Sequence, residues 1–181
     1  MCTCRGALCS RQAGNMERRT IRQTIDLDTG HITEIGYYKG DKLHRDVSVG
    51  PALLSLDGET GEMRHREFRV HGKLHNPEGP ASEFWTAGMP EQIGYSIDGR
   101  LHREGAPALV RYRVGTPDVS YEGWYQRGLR HRDPSEGPAE RESNFDGSFR
   151  EAYFVAGKRV RKPSRPLPFR PVRTTSKREP I

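Results

Sequence analysis

Four histidines at nearly even spacing are the residues of this chain best suited to acid–base or metal chemistry. They are 31, 27 and 29 residues apart, at positions His44, His75, His102 and His131. Imidazole exchanges protons near neutral pH and is a common ligand of transition metals. If two strands separate consecutive histidines, however, they lie about 10 Å apart, which is too far to share one metal ion. We therefore expect each imidazole to bond backbone groups that its own turn leaves unpaired, with a pH-sensitive or binding role as the alternative.

Each histidine belongs to one copy of a recurring phrase, Gly-x-Leu-His-Arg followed by Gly-Pro-Ala. The copies cover residues 40–52, 72–81, 99–108 and 128–139. Such a period is typical of repeat proteins, in which each copy is a small unit that packs on its neighbours. The prolines fix φ and are expected to stiffen the chain as it enters the next strand. They are Pro51, Pro80, Pro107 and Pro138.

An aromatic residue stands seven positions before every repeat histidine. A fifth, degenerate copy keeps the aromatic residue but has Val160 in place of histidine. Equivalent positions of paired strands form one row on a sheet, so we call these residues the ladder aromatics. We expect them mainly to pack, because the chain has few aliphatic residues. The ladder aromatics are Tyr37, Phe68, Tyr95, Trp124 and Tyr153.

The stretches between the phrases are broken by glycine turns and predict short strands joined by tight connections. Positive φ is expected at the phrase glycines Gly40, Gly72, Gly99 and Gly128. We predict ten strands, over residues 22–27, 31–38, 52–57, 63–70, 81–86, 91–97, 108–114, 119–126, 139–144 and 149–155. The predicted fold is all-β, a single-layer antiparallel β-meander of about five hairpin repeats. Its open edges, at residues 22–27 and 149–155, leave an edge-paired dimer open.

Composition and charge set the domain organisation. Of 181 residues, 33% are hydrophobic and 30% charged, too few apolar residues for a thick core. The net charge is +6, and residues 157–181 alone hold nine Lys or Arg and one Glu. We predict a flexible leader over residues 1–20, a repeat domain over 21–157 and a disordered or extended basic tail over 158–181.

The cysteines indicate the compartment. Cys2, Cys4 and Cys9 all precede the repeats, so a disulfide framework does not hold the fold, which favours a reducing, cytoplasmic location. Their spacing lacks the fourth ligand of a zinc site, and we expect no metal and no cofactor. No apolar run or signal peptide suggests a membrane span or secretion. Either Met1 or Met16 serves as the start.

No motif of an enzyme is present, and the carboxylates follow a solvated pattern, so we expect a binding protein. Trp85 and Tyr112 lie outside the ladder register, and we predict that they contact a partner from the opposite face. Trp124 of the ladder is a further candidate for partner contact.

The basic tail has three interpretations. It clamps a nucleic-acid backbone, or serves as a proline-rich peptide ligand, or only keeps the protein in solution. Its candidate contact residues are Arg159, Arg161, Lys162, Arg165 and Arg170.

The repeat phrase resembles the MORN-repeat superfamily, in the variant whose units read W/Y-x-x-x-G-x-L-H-R-x-x-G-P-A. The resemblance covers residues 24–162, with Asn76 in place of the repeat arginine and Ala106 in place of a repeat glycine. It implies an elongated β-sheet that acts as a scaffold and binds proteins or lipid headgroups. It also implies an origin in bacteria, phages or large DNA viruses, where some relatives are described as antitoxin-like.

The function that we predict is non-enzymatic: a module that docks on a protein partner through its repeat sheet. The resemblance suggests, as one form of this, a viral inhibitor of a host enzyme or defence complex in the host cytoplasm. The alternative is a nucleic-acid-binding or virion-associated protein acting through the tail, and an antitoxin-like neutraliser is third.

Overall fold

The computed structural model describes residues 18–144 and 146–164, and all of its regular structure there is β-strand. Residues 1–17, 145 and 165–181 lie outside the described residues, and with them the cysteines, Met16, Arg165 and Arg170. The strands are β1 (Arg19–Ile25), β2 (Ile32–Lys39), β3 (Lys42–Leu43), β4 (Leu53–Leu56), β5 (Met63–Glu67), β6 (Arg69–Val70), β7 (Lys73–Leu74), β8 (Ser82–Thr86), β9 (Met89–Gly94), β10 (Ser96–Ile97), β11 (Arg100–Leu101), β12 (Leu109–Tyr112), β13 (Val119–Gly123), β14 (Tyr125–Gln126), β15 (Leu129–Arg130), β16 (Glu140–Ser143), β17 (Phe149–Val155) and β18 (Lys158–Val160).

The main sheet has twelve strands in the order β1-β2-β4-β5-β8-β9-β12-β13-β16-β17-β18, with β3 paired to β2. Each strand pairs with neighbours close to it in sequence, and each pairing is antiparallel. The predicted all-β meander is therefore confirmed. Because each unit contacts only the units next to it, short strands joined by tight turns are enough to form this meander.

The repeat phrase forms a second row of small hairpins that the sequence analysis missed. Three predicted strands, over residues 63–70, 91–97 and 119–126, are each interrupted at a ladder aromatic. At Phe68 the backbone changes partner: its N–H donates to Ala81 at 2.8 Å, and its carbonyl accepts from His75 at 2.9 Å. The segment beyond the aromatic residue therefore pairs with the phrase, as β6-β7, β10-β11 and β14-β15.

The small hairpins close with two-residue turns. In the hairpin of β14 and β15, both turn residues have positive φ, 51° at Arg127 and 85° at Gly128. Two positive φ values give the turn the right-handed twist of the strands that it joins. Positive φ at all four phrase glycines, as predicted, is confirmed.

The sheet extends beyond both predicted domain boundaries. Arg19 and Thr20, assigned to the leader, belong to β1, and Lys158–Val160, assigned to the tail, form β18. Val160 pairs with Tyr153, so the degenerate fifth copy keeps the repeat register although it lacks the histidine. The repeat register rather than the charge therefore marks where the sheet ends.

The tightest packing lies along the ladder aromatics. An alanine pairs beside each of the first four, and these alanines, Ala52, Ala81, Ala108 and Ala139, are 0% exposed. We call this side of the main sheet the ladder face and the other side the opposite face. Small residues between aromatic rings let the rings pack closely without a second layer.

Candidate functional site

The four repeat histidines connect consecutive units. Each accepts, with its Nδ1 atom, the backbone N–H of the residue before the turn glycine of the following unit. The sequence analysis expected this bond within the histidine's own turn, which is wrong, because the next hairpin lies directly beside the imidazole. The pairs are His44–His71 at 3.1 Å, His75–Asp98 at 3.2 Å, His102–Arg127 at 3.3 Å and His131–Ala156 at 3.1 Å.

The repeat arginine holds the loop that follows it. Its guanidinium lies over the ladder aromatic of its own unit and donates to the carbonyl of the Gly-Pro-Ala proline. Arg132, for example, lies 3.8 Å from the ring centre of Trp124 and donates to Pro138 at 3.2 Å. One face of the Trp124 ring is thus covered by Arg132 of its own unit, and contact of Trp124 with a partner stays a prediction. Equivalent pairs are Arg45 with Tyr37 and Arg103 with Tyr95.

The second unit shows which of the two contacts the fold keeps. Asn76 stands where the other units have arginine, and its side-chain amide donates to the carbonyl of Pro80 at 2.8 Å. The short amide preserves the bond to the loop but has no charge to place over Phe68. The carbonyl bond is therefore the contact that all four units share.

Trp85 and Tyr112 lie on the ladder face, not on the opposite face as predicted. Side chains alternate between the two faces along a strand. Trp85 stands four positions after Ala81, and Tyr112 stands four positions after Ala108, so each lies on the same face as its alanine. Their equivalent in the second unit is Leu56. At this level the partner strand has one extra residue, which forms a β-bulge. The bulge recurs in four units.

These residues join an apolar patch that runs across the sheet. Ile35 pairs with Leu54, and Ile93 pairs with Val110, at the level next to the ladder. All are half-buried except Val110, which is 9% exposed, and the described residues supply no second layer above them. We call this patch the apolar belt; its members are Ile35, Leu54, Leu56, Trp85, Ile93, Val110 and Tyr112.

Trp85 packs against the sheet within the apolar belt. Its indole Nε1 is buried, and no hydrogen-bond acceptor for it lies among residues 18–144 and 146–164. An ion pair between Arg66 and Glu83 crosses the belt beside it. The belt thus combines aliphatic side chains with one tryptophan and one tyrosine, and a salt bridge lies among them.

The apolar surface widens toward the N-terminal edge. There an open groove of about 760 Å³ is lined in part by Ile21, Tyr37, Val49 and Val70. Ile21 is 62% exposed and Val49 is 65% exposed. Exposed aliphatic side chains in this number at one end of a sheet are typical of an interaction surface.

The opposite face carries a row of planar polar groups that the sequence analysis did not identify. His65 stacks on Phe84 with ring centres 4.0 Å apart, and Arg111 bonds Gln92 at 3.0 Å. Tyr121 donates to Glu140 at 2.9 Å, and its burial raises the pKa of its hydroxyl. Arg111 with Gln92 and Tyr121 with Glu140 are hydrogen-bonded pairs, whereas His65 and Phe84 are only stacked. The alternation of these positions with those of the apolar belt is the signal in the sequence that could have found them.

Glu67 is the most buried carboxylate of the opposite face, at 7% exposure. Burial raises its pKa, but His65 and Arg69 outweigh burial and bring the pKa down to about 2. Arg69 donates to it from two nitrogens, and the His65 Nε2 atom lies 3.3 Å away. The carboxylate of Glu67 thus links the side chains at positions 65 and 69, two residues before it and two residues after it.

The described part of the chain holds no group of three potential metal ligands in binding distance. No helix long and apolar enough to cross a membrane was found there either. Surface features of the described residues that could contact another molecule include the apolar belt, the basic residues of the small hairpins and the first residues of the tail. Comparison with models of protein families and with curated proteins found no match for this chain.

Proposed function

We propose that this protein is a non-enzymatic binding module that docks on a protein partner through the apolar belt. One observation carries the proposal: Leu56, Trp85 and Tyr112 occupy equivalent positions of three units on one face, beside a row that holds two pairs of aliphatic side chains. In an ordinary domain a second layer covers such a face. Here a partner would supply that layer.

The chemistry of the belt suits a protein rather than a small molecule. Tryptophan and tyrosine in the centre of a patch are the residue types that contribute most to interfaces. The Arg66–Glu83 ion pair adds a polar group that a matching partner can bond. The belt is open and shallow, whereas sites for small ligands are concave and enclose most of the ligand.

The resemblance of the repeat phrase to MORN-like scaffolds supports the same function. A rigid sheet presents its residues with little loss of conformational freedom on binding. The histidine bonds between units and the arginine or asparagine bonds to the loop prolines support such rigidity. The repeated residues are then framework, and specificity lies in the residues that differ between units, such as Trp85 and Tyr112.

The test compares full-length variants in affinity capture from nuclease-treated lysate, with the captured protein identified by mass spectrometry. Leu56→Glu and Tyr112→Glu place a charge in the belt, and Phe84→Glu places one on the opposite face, where Phe84 is 36% exposed. We expect a partner retained by the wild type and by Phe84→Glu but lost from both belt variants. Equal retention by all four proteins would contradict the proposal.

A photo-crosslinking residue provides a second measurement that does not depend on how well a charged variant folds. Benzoylphenylalanine in place of Tyr112 is expected to crosslink to the captured partner. The same group in place of Phe84 should not do so. Crosslinking only from position 84 would place the interface on the opposite face.

A further inference from the structure

The residues that follow the turns of the small hairpins form a line of positive charge. In each unit one residue stands directly after the two-residue turn, and all of them are exposed. We call this line the tip row; it consists of Lys42, Lys73, Arg100, Leu129 and Lys158. Four of the five positions are cationic, and they lie at one end of the strands.

Contacts between units align the tip row. The side-chain carbons of Lys73 lie 3.5 to 3.8 Å from the point where a Cβ on Gly99 would stand, and Arg100 has the same relation to Gly128. The aliphatic part of each of these side chains therefore packs against the turn glycine of the next unit, and its charged group extends past that glycine. Consecutive charges are then spaced by two strands, about 10 Å, and the whole row spans about 40 Å.

Within the described residues, the cations of the tip row have no carboxylate partner. Among residues 18–144 and 146–164, no carboxylate lies within 4.0 Å of the side-chain nitrogens of Lys42, Lys73 or Arg100. Of the nearest turn carboxylates, Asp41 pairs with Arg22 at 3.7 Å, and an oxygen of Asp98 lies 3.0 Å from the Nδ1 atom of His75. Unpaired, aligned cations favour an anion from outside the protein.

The fourth unit has Leu129 in place of a tip-row cation, but it carries an arginine two residues earlier. Leu129 follows the turn in that unit, and Arg127 occupies the first turn position at a φ of 51°, which is unfavourable for a residue other than glycine. Arg127, Arg100 and Lys73 line a common depression of about 450 Å³. Positive charge therefore continues along the row through the fourth unit.

The other end of the strands has the opposite charge. Its turns contain Asp26, Asp57 and Asp146, whose pKa values are lowered mainly by hydrogen bonds from the N–H and hydroxyl groups of their own turns. These carboxylates stay ionised. Carboxylates such as Asp46 and Asp133 also lie near the small hairpins. The last small hairpin, with Lys158 and Arg159, adds positive charge at that end, which favours the approach of an anionic molecule there.

We propose that the tip row binds the phosphate backbone of single-stranded nucleic acid, independently of base sequence. A line of single cations over about 40 Å matches a polymer with evenly repeated charges. The tip row itself has no aromatic residue on which a base could stack, so its cations contact phosphates rather than bases. A single strand is flexible enough to follow a row that turns with the twist usual in sheets, whereas a duplex of this length stays close to straight. The row ends at Lys158, where the basic C-terminal segment begins.

The test measures binding of a fluorescent 20-nucleotide single-stranded DNA to the full chain by anisotropy at several salt concentrations. The tip-row variant carries Lys42→Ser, Lys73→Ser and Arg100→Ser. Its control carries Arg64→Ser, Arg141→Ser and Arg150→Ser, which remove the same charge from exposed positions toward the acidic end. Circular dichroism checks that both variants remain folded, and all three proteins share residues 165–181, so any contribution of the tail is common to them.

We expect the tip-row variant to bind about tenfold more weakly at low salt, and the slope of log K against log salt to fall by about 2, for three lost phosphate contacts. The control should stay within about threefold of the wild type. Equal losses in both variants would overturn the proposal. So would binding of a polyglutamate peptide of matched charge as tightly as the DNA, because the row would then attract any polyanion.

Discussion

The Nδ1 atom of His131 accepts the backbone N–H of Ala156 at 3.1 Å, across 25 residues of chain. Ala156 has a positive φ of 47°, so its N–H lies in a turn that offers it no partner of its own. The same bond joins the earlier units, from His44, His75 and His102. A side chain of one unit thus completes the turn of the next.

Replacing His131 by alanine should destabilise the protein by about 1 kcal/mol, because the Ala156 N–H loses its acceptor. His131→Asn should keep most of the stability, since the amide oxygen of asparagine can accept the same N–H. Urea unfolding followed by circular dichroism measures both variants. If alanine and asparagine give the same midpoint as histidine, the bond has no role in stability.

Stability should fall as the pH drops below about 6.5, because of His44. Burial lowers the pKa of His44 below its ordinary value of 6.5, and the nearby His71, Lys39 and Arg19 lower it further. The unfolded chain then takes up a proton before the folded protein does, so the stabilisation is complete above 6.5 and declines as the pH falls toward the folded pKa.

The measurement is the urea midpoint at pH 7.5 and at pH 5.5, for the wild type and for His44→Asn. We expect the wild type to lose more stability between the two values than the variant does. A variant with an equal or larger loss would mean that other groups cause the acid sensitivity.

The loss of stability at lower pH should depend on Glu67. Its pKa of about 2 in the folded protein lies below its ordinary value of 4.5. The ion pair with Arg69 therefore stabilises the fold fully above pH 4.5, and this contribution disappears as the pH falls toward 2. Glu67→Gln should cost about 2 kcal/mol at pH 7 and flatten the decline between pH 4.5 and pH 3, as measured by urea unfolding. An undiminished decline in the variant would refute this assignment.

The substitution Asn76→Arg should stabilise the protein by about 0.5 to 1 kcal/mol. It restores the repeat arginine, whose guanidinium can lie over Phe68 while still donating to Pro80. Asn76→Ala is the matched control, since it removes the bond to Pro80 and should destabilise. Thermal unfolding ranks the three proteins, and an arginine variant no better than alanine would show that the loop of the second unit excludes the longer side chain.

The repeat phrase was enough to predict the meander, because a glycine turn or a proline marks each strand boundary. It did not reveal that Phe68, Tyr95 and Trp124 interrupt their strands. A strand of two residues, such as β7, is too short to produce an alternating pattern. Pairing within the phrase depends on contacts that sequence spacing alone does not show.

The face of Trp85 was predicted wrongly for a related reason. The prediction compared Trp85 with the ladder aromatics. The better reference is Ala81, which stands four residues earlier on the chain and therefore on the same face of the sheet. The tip row was also visible as a repeated Lys or Arg after the turn. Its alignment was not, because that depends on how the stem of Arg100 rests on Gly128.

Val160 has a consequence for how the chain behaves in a crowded solution. A further copy joining the sheet at β18 would present a turn amide to this position, and valine has no atom to accept it. Both outer strands also carry exposed positive charge, at Arg19 on β1 and at Lys158 and Arg159 on β18. A copy added at β18 would therefore lack the histidine bond that joins consecutive units within the chain, and like charges on the two outer strands oppose end-to-end joining.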